Sequence, residues 1–256
     1  MSSYSHVRSL QRGLEILQVV NQHRGLKASE VTEHTGIPRP TVYRLLETLE
    51  QMRFVARDHS SDIWRVCLHA KSLSSGFRDE DWIVQTAIPE MIRLGRKVLW
   101  PLDLVTFRNN SMEIRESTQN LSPYSIDHGM VGLRLPVLET AGGRAFLAFS
   151  SNQERNHVLA SLEQELGVKP PYPTPDGPLD KILDRCRELG VGYRQDGFRM
   201  ETTSLSAPIL YDGRVIACLT IVFIKSAQDL EAGLELYREH LLDAARTIMA
   251  AVPGPQ

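Results

Sequence analysis

The stretch Gly36-Ile37-Pro38-Arg39-Pro40-Thr41-Val42-Tyr43-Arg44-Leu45-Leu46-Glu47-Thr48-Leu49 decides the fold of the N-terminal part of this chain. From residue 42 onward its apolar residues recur on one face of a helix with 3.6 residues per turn, and polar residues occupy the rest of the circumference. The two prolines suit the first turn of that helix, where backbone amides have no helical partner. Such a helix offers hydrogen-bonding side chains along one face, as groove reading in DNA requires. An ordinary amphipathic surface helix has the same pattern, so the neighbouring elements must decide.

The neighbouring elements predict a winged helix-turn-helix. Apolar periodicity predicts a first helix over residues 7–23 and a short second helix over 27–35, followed by a glycine suited to a left-handed helix stop. Two strand-like runs, 54–57 and 63–68, are separated by a polar turn. A polar and partly basic hairpin after three helices suits phosphate contact. This order of elements favours DNA binding over the ordinary surface helix.

Composition and charge narrow the class of protein. The chain has 256 residues, 42% of them hydrophobic, and a net charge of −2, divided as +2 over residues 1–66 and −4 over the remainder. Its three cysteines include no CxxC pair, which is typical of free thiols in a reducing compartment. No stretch has the length and apolarity of a signal peptide or a membrane span. We therefore expect a cytoplasmic protein that has no membrane partner.

The remainder of the chain predicts a connector followed by a mixed α/β domain. We expect an α+β protein with domains at 1–68 (DNA binding), 69–98 (linker helices) and 99–256 (effector binding). Connector helices commonly dimerise, which a protein reading two half-sites needs. The predicted strands are 102–107, 113–116, 125–129, 204–210 and 215–224, and the predicted helices are 140–150, 153–166, 179–189 and 230–252.

Catalytic motifs are missing from the sequence. It contains no GxSxG, HExxH or GxxxxGK[ST], and no GxGxxG that opens a helix after a strand. No histidines are paired at metal-ligand spacing. We therefore expect no metal and no cofactor, and we interpret the second domain as a sensor of a small molecule. Two alternatives remain, an enzyme with an appended DNA-binding domain and a ligand-independent architectural DNA binder.

Several runs of sequence are shared with a known family. They are residues 7–17, 41–49, 131–136, 140–148, 190–193 and 206–209. Through these runs the chain resembles the IclR family of bacterial transcription regulators over essentially its whole length. Residues 76–80, 100–101 and 128–132 are most similar to the activators of hydroxyphenylpropionate degradation, within that family.

The resemblance implies a winged helix-turn-helix, a linker helix and a GAF-like α/β domain that binds a small, usually acidic, metabolite. It also implies double-stranded operator DNA as a partner and a homodimer, often paired into a tetramer. Two positions depart from the family pattern. Pro40 stands where a serine is usual, which removes a hydroxyl contact, and Arg144 replaces a lysine, which keeps the charge but changes its geometry.

The candidate DNA-binding residues lie mainly on the third helix. Arg44 suits either a phosphate or a guanine, and the competing role is an ion pair with Glu47 on the helix surface. Arg12 and Arg57 are candidates for phosphate contact or, equally, for surface ion pairs. The full set is Arg12, Arg39, Pro40, Thr41, Tyr43, Arg44, Thr48 and Arg57.

The candidate effector-binding residues follow from the family resemblance and from ligand chemistry. Small residues at a helix N-terminus leave amides free for a carboxylate, although close helix–sheet packing favours the same residues. An aromatic carboxylic acid also needs an apolar slot, for which Met130, Leu135 and Phe223 are candidates. The positive charge that would pair with the carboxylate is assigned to Arg134, His128 or Arg194, and the sequence does not choose among them. The full set is His128, Met130, Leu135, Ala141, Gly142, Gly143, Arg194, Thr202, Ser204 and Thr220.

Overall fold

The computed structural model describes residues 6–23, 25–77, 79–167, 169, 172–174 and 177–252. The chain divides into two compact units, one formed by residues 1–78 with 127–129 and the other by 79–126 with 130–256. The residues predicted as linker are therefore shared between the units, with 79–98 in the second. Among the described helices, none is long and apolar enough to cross a bilayer.

The first unit is a winged helix-turn-helix, as the sequence predicts. Its elements are α1 (Arg8–Gln22), α2 (Ala28–Thr35), α3 (Arg39–Gln51), β1 (Val55–Asp58) and β2 (Ile63–Val66). The two strands pair antiparallel, and Leu26 adds an isolated bridge to Trp64. The core is formed by the apolar faces of the three helices around Trp64, which is fully buried. The hairpin is therefore packed into the same core that holds α3.

Local chemistry explains where these helices begin and end. The Glu30 carboxylate accepts a hydrogen bond from the Lys27 amide at 2.6 Å, which supplies half of a capping box. Gly36 ends α2 with φ at +65°, a left-handed conformation that glycine adopts at low cost. Val42 and Leu46 are buried along α3, whereas Met52, which the periodicity placed on the same stripe, is 53% exposed because α3 ends before it.

The second unit is a six-stranded antiparallel sheet with helices on both faces. The sheet has the order β5-β4-β3-β10-β9-β8, and β6 and β7 form a separate small hairpin. The elements are α4 (Ile88–Val98), β3 (Leu102–Arg108), β4 (Ser111–Ser117), β5 (Arg134–Pro136), α5 (Ala141–Phe149), α6 (Asn152–Leu166), β6 (Pro173–Thr174), β7 (Gly177–Pro178), α7 (Leu179–Leu189), β8 (Gly192–Arg194), β9 (Thr202–Tyr211), β10 (Arg214–Ile224) and α8 (Leu230–Ala250).

The sheet and the predicted linker differ from the sequence-based expectation in three ways. The predicted strand 125–129 is wrong, because those residues form no ladder; Ile126 remains 52% exposed and Gly129 has a φ of +58°. The short strands β5 and β8 were not predicted, since three residues give too little alternation to detect. Within the predicted linker, a 3-10 helix (Leu68–Leu73) and a π-helical turn (Ile83–Ala87) precede α4.

The two faces of the sheet have different partners. A Cβ added to Gly142 of α5 would lie 2.7 Å from Val105 Cγ2 and 3.5 Å from Thr220 Oγ1, so these side chains face α5. A Cβ added to Gly233 of α8 would lie 2.4 Å from Phe223 Cζ, which places Phe223 on the opposite face. The expectation that Phe223 forms one apolar slot with Met130 and Leu135 is therefore wrong, because Leu135 pairs with Met112 on the α5 face. The alternation of a strand agrees with this, since Thr220 and Phe223 are three positions apart on β10 and residues an odd number of positions apart point to opposite faces.

Candidate nucleic-acid interface and effector site

The exposed face of α3 carries most of the candidate DNA contacts. Arg39, Pro40, Arg44 and Thr48 are exposed, and Thr41 is half-buried. The Arg44 guanidinium makes no hydrogen bond or ion pair with any residue that the structure describes, so the alternative ion pair with Glu47 is not formed. The Thr48 hydroxyl donates to the Arg44 carbonyl at 2.8 Å. The Arg44 charge is consequently available to an external partner.

Tyr43 connects α3 to the wing. Its hydroxyl donates to Asp62 Oδ2 at 3.2 Å, and Arg57 Nε donates to the other oxygen, Oδ1, at 2.7 Å. The guanidinium carbons of Arg39 and Arg57 lie 5.6 and 5.7 Å from the Tyr43 ring centroid, within cation–π range. The structure thus brings together three of the predicted residues around an aspartate that the sequence analysis overlooked. Arg57 forms an ion pair with Asp62, which was the predicted alternative to phosphate contact.

Hydrogen bonds within the wing fix its shape. Asp58 accepts from the Ser60 amide at 3.0 Å and from the hydroxyls of Ser60 and Ser61, and these bonds hold its pKa well below the usual range. The bond from Arg57 lowers the pKa of Asp62 in the same way. Both carboxylates are therefore ionised at neutral pH. The run Asp58-His59-Ser60-Ser61-Asp62 is a turn signal visible in the sequence.

Arg12 lies apart from this network. It is a half-buried residue of α1, whereas Tyr43, Asp62 and Arg57 join α3 to the hairpin. Its candidate role remains contact with a phosphate at the flank of the recognition helix.

The N-terminus of α5 is packed closely onto its surroundings. Thr140 caps the helix, because its Oγ1 accepts from the Gly143 amide at 3.2 Å and donates to the Pro136 carbonyl at 2.8 Å. A Cβ on Gly143 would lie 2.0 Å from the Val137 carbonyl oxygen, so no other residue fits there. Since the Gly143 amide is already bonded, a carboxylate at this end of α5 would be met by the amides of Ala141 and Gly142.

A row of polar side chains crosses the sheet on the α5 face. Cross-strand pairing aligns Ser117 with Asp103, Asp103 with Thr220, and Thr220 with Ser206, on four adjacent strands. The Ser117 hydroxyl donates to Asp103 Oδ1 at 2.6 Å, and the hydroxyls of Ser206 and Thr220 are 2.8 Å apart. Ser204 follows on the same face of β9. We define these five residues as the polar floor.

Asp103 is the ionisable member of the polar floor. It is only 5% exposed, and burial raises its pKa from 3.8 to about 6, against the opposing effects of hydrogen bonds from Ser117 and Gln119 and of the Arg199 charge. Sequence reasoning missed it because it stands inside an apolar strand. A charged residue within the run LDLVTF was the available signal, since such residues are rarely buried without a partner.

Arg194 and Thr202 are brought together, and they bond to each other. Arg194 is 3% exposed, and its guanidinium donates to the Thr202 carbonyl and to Thr202 Oγ1, both at 2.7 Å. It also donates to the Arg199 carbonyl at 3.1 Å. Arg194 therefore shapes the loop between β8 and β9. In that loop Arg199 Nη2 lies 3.8 Å from the sulfur of Met130, another predicted residue.

The remaining candidates lie around this region or beyond it. Leu135 of β5 pairs with Met112, at the other end of the α5 face from Asp103. His128 belongs to the segment 127–129, which groups with the first unit. Arg134 is exposed on the edge strand β5. The polar floor, as defined by its five members, includes neither His128 nor Arg134.

Arg144 shows why an arginine suits its position. It is fully buried, with Nε donating to the Leu138 carbonyl at 3.0 Å and Nη1 donating to the Tyr193 carbonyl at 2.9 Å. A planar fork with several donors satisfies both carbonyls at once, which a single ammonium does poorly. Arg144 thus fastens α5 to β8.

The described residues include no cluster of three or more His, Cys, Asp or Glu side chains that could hold a metal ion. The three cysteines are free, and burial raises the pKa of the Cys186 thiol to about 11 and that of Cys218 further. Neither of these two thiols is therefore a ready nucleophile at neutral pH.

Two family models match most of the chain. The model of the IclR helix-turn-helix domain matches residues 9–59, and the model of the bacterial transcriptional regulator IclR C-terminal domain matches residues 79–250. The first match contains α3 with its Arg44, and the wing residue Asp58. The second contains the polar floor and the loop that carries Arg199.

Curated relatives and solved structures agree with these matches. The HTH-type transcriptional regulator KdgR of Escherichia coli (strain K12) is 26% identical over 249 residues, which cover 95% of this chain and 92% of that protein. An IclR transcriptional regulator from Alicyclobacillus acidocaldarius has a TM-score of 0.61 at 21% identity, with 96% of this chain and 99% of that one covered. An IclR homolog from Microbacterium hydrocarbonoxydans, solved with 4-hydroxybenzoate, has a TM-score of 0.55 at 22% identity, with 95% and 99% covered. At these identities the two structures support the fold alone.

Proposed function

Because this chain belongs to the IclR family of bacterial transcriptional regulators, we propose that it binds its operator conditionally, under the control of a small aromatic carboxylic acid. The chain is a DNA-binding regulator, and the family and its relatives are regulators rather than enzymes. The regulated genes would be those of an aromatic-acid catabolic operon.

The exposed face of α3 carries the DNA-binding part of the proposal. Arg44 stands on it without a partner among the described residues, and the tie from Tyr43 through Asp62 to Arg57 fixes the orientation of α3 relative to the wing. We assign base or phosphate contact to Arg44, and supporting contacts to the other members of the set. Those members are Arg39, Pro40, Thr41, Tyr43 and Thr48, with Arg12 and Arg57 toward the phosphates.

Replacing Arg44 tests this assignment. We expect Arg44→Ala to lower specific operator affinity by about 10- to 100-fold, the effect of losing one good base or phosphate contact. The measurement is a titration of labelled operator at one fixed salt concentration. Arg214→Ala is the matched control, because Arg214 is an exposed residue of the second unit, at the turn between β9 and β10. Unchanged operator affinity in Arg44→Ala would refute the role of α3.

The same titration addresses the architectural alternative. A ligand-independent architectural binder would show a steep salt dependence and little preference for operator over random DNA. We expect a preference of at least about 1000-fold, as specific regulators show. A ratio near one would favour the architectural alternative instead.

The effector part of the proposal is supported by the polar floor beneath the N-terminus of α5. A buried aspartate, four hydroxyl groups and two helix amides give the few convergent polar groups that orient a ligand. The sequence resemblance of residues 76–80, 100–101 and 128–132 favours hydroxylated phenylpropionates or benzoates. A relative with the same fold was solved with 4-hydroxybenzoate, which agrees with that ligand class.

Thermal shift measurements test the effector class. Hydroxylated benzoates and phenylpropionates at about 100 times their dissociation constants should stabilise the protein by about 2.7 kcal/mol through binding linkage. The same acids should change operator affinity. A panel that neither raises the melting temperature nor alters operator binding would contradict the proposal.

The assembly and domain roles complete the proposal. We assign DNA binding to residues 1–68, connection to 69–98 and effector binding to 99–256. A homodimer would place two copies of α3 in successive major grooves about 34 Å apart, and two dimers would pair as a tetramer. A protein with these partners acts in the cytoplasm. Light scattering of the protein with and without a two-half-site operator would measure the stoichiometry.

A further inference from the structure

The loop between β8 and β9 contains a residue in a strained backbone conformation. Arg199 has a φ of +60°, in the left-handed region that side chains other than glycine, asparagine and aspartate rarely adopt. Strain of this kind persists only where surrounding contacts impose it, and it is concentrated at ligand-binding sites.

Contacts from two neighbouring residues impose this conformation. The Arg199 carbonyl accepts from Arg194 Nη1 at 3.1 Å, from the Thr202 amide at 3.2 Å and from Thr202 Oγ1 at 3.3 Å. The Arg194 guanidinium is itself buried and bonded to Thr202. A carbonyl oxygen has two lone pairs, so three donors exceed what is needed to satisfy its hydrogen-bonding capacity. Arg194 and Thr202 thus position the Arg199 backbone.

The loop that carries Arg199 lies at one end of the polar floor, because Arg194 at its start pairs across the strands with Ser204. Arg199 Nη2 lies 3.8 Å from the Met130 sulfur, and burial lowers the pKa of Arg199 while the charge of Asp103 acts in the opposite direction. The Arg199 charge in turn counteracts the effect of burial on Asp103. A guanidinium and a carboxylate therefore share one partly desolvated region, which also contains Gln119 and Ser117.

We propose that Arg199 and Asp103 form a two-point site for a hydroxylated carboxylic acid, in which Arg199 pairs with the carboxylate and Asp103 accepts a hydrogen bond from the hydroxyl. This proposal rests on the proposed effector response and names the groups that read the effector. It assigns the anchor to Arg199 and not to Arg194, because the Arg194 guanidinium already bonds to Thr202.

The chemistry of the two groups fits this division. A guanidinium has five donors in a planar fork, so it binds a ligand carboxylate while it keeps other contacts. An ionised aspartate only accepts hydrogen bonds, and it repels a second carboxylate, so a hydroxyl is the ligand group that suits it. An acid therefore binds in one orientation, with its carboxylate at Arg199 and its hydroxyl over the sheet.

The distinguishing experiment is calorimetric titration with ligands that differ by one group. The probes are 4-hydroxybenzoate, 4-methoxybenzoate and 4-hydroxybenzamide, with the corresponding set built on 3-(3-hydroxyphenyl)propionate. The methyl ether removes the hydroxyl donor, and the amide removes the negative charge. In the wild type we expect the hydroxy acid of the better-binding set to be favoured about 10- to 100-fold over each analogue, the effect of one charge-assisted hydrogen bond.

Each variant should lose one of the two preferences. Arg199→Gln should reduce the acid-over-amide ratio to within about threefold and keep the hydroxy-over-methoxy ratio, whereas Asp103→Asn should do the reverse. Arg214→Gln and Asp212→Asn, at an exposed turn, are the matched controls and should keep both ratios. Arg199→Lys, which keeps the charge without the fork, should retain part of the acid preference and serves if the glutamine variant does not fold.

The outcomes separate this proposal from the one it rests on. If the wild type binds the acids and both folded variants keep wild-type ratios, the two-point site is refuted while the effector response stands. If the wild type binds none of the acids and operator affinity is unaffected by them, the effector proposal fails and the two-point site fails with it.

Discussion

Replacing Asp103 with asparagine should change how the stability of the protein depends on pH. Burial raises the pKa of Asp103 from 3.8 to about 6, and each pKa unit corresponds to 1.36 kcal/mol. Ionised Asp103 therefore lowers the free energy of unfolding by about 3 kcal/mol at neutral pH. The asparagine side chain has nearly the same shape and no charge, so it removes this cost but weakens the bond from Ser117.

The direction follows from proton linkage. Because the folded-state pKa lies above the unfolded value, the folded state holds the proton more tightly. The contribution of Asp103 to stability is present in full below the unfolded-state pKa of 3.8, is lost as the pH rises through the folded-state pKa of about 6, and is gone about one pH unit above it. The difference between Asp103→Asn and the wild type should therefore move by up to about 3 kcal/mol in favour of the variant between pH 4 and pH 7.

Urea denaturation at one protein concentration, repeated at half-unit steps from pH 4 to pH 8, measures this difference. Subtracting the wild-type curve removes the titration of other groups, including Glu116, whose pKa is also raised by burial. Asp212→Asn at the exposed turn is the control and should give a difference that does not vary with pH. A constant difference for Asp103→Asn, or one that moves in favour of the wild type as the pH rises, would refute the account of a destabilised buried carboxylate.

Two further predictions concern packing and the wing. Gly143→Ala should lower the free energy of unfolding, measured by urea denaturation, by about 3 kcal/mol, because the new Cβ would lie 2.0 Å from the Val137 carbonyl oxygen. Gly36→Ala is the control: a Cβ there meets no atom within 4 Å, so the variant should lose only the roughly 1 kcal/mol that the left-handed conformation costs alanine. Asp62→Asn should raise affinity for random DNA and increase the salt slope by about one, since Asp62 no longer neutralises the Arg57 charge that faces the phosphates. An unaltered slope would show that Arg57 does not reach DNA.

The sequence predicted the winged helix well because its determinants are local. The apolar stripe of α3, the glycine after α2 and the polar turn of the wing each act over a few residues, so periodicity and turn chemistry detect them. The tie from Tyr43 to Asp62 spans 19 positions, and nothing in the pattern indicates which side chain the hydroxyl meets. For the same reason the sequence predicted Arg57 as a basic wing residue without deciding between its two roles.

The effector site could be predicted only in part because it depends on strand register. The small residues at the start of α5 are visible in the sequence, but the alignment of Ser117, Asp103 and Thr220 requires knowing that β3 lies between β4 and β10. The predicted strand 125–129 failed for a related reason, since a run of suitable composition forms a strand only where a sheet edge is available to pair with it. Phe223 was misplaced because the face of a strand depends on which helix covers it.

The two residues that sequence patterns misjudge most are also the two that suit a ligand best. Asp103 puts a charge inside an apolar strand, and Arg199 adopts a conformation that favours glycine. Each departure costs stability, and a chain selected for stability alone would replace both residues. Hydrogen bonds hold their surroundings in place, because Arg144 and Thr140 fasten α5 to β8 and β5, and Arg194 fastens the loop. A rigid frame that holds two unfavourable groups near each other is the arrangement expected of a preorganised binding site. The frame and the two groups should therefore respond differently to mutation, with changes in the frame reducing stability and changes at Asp103 or Arg199 altering ligand preference.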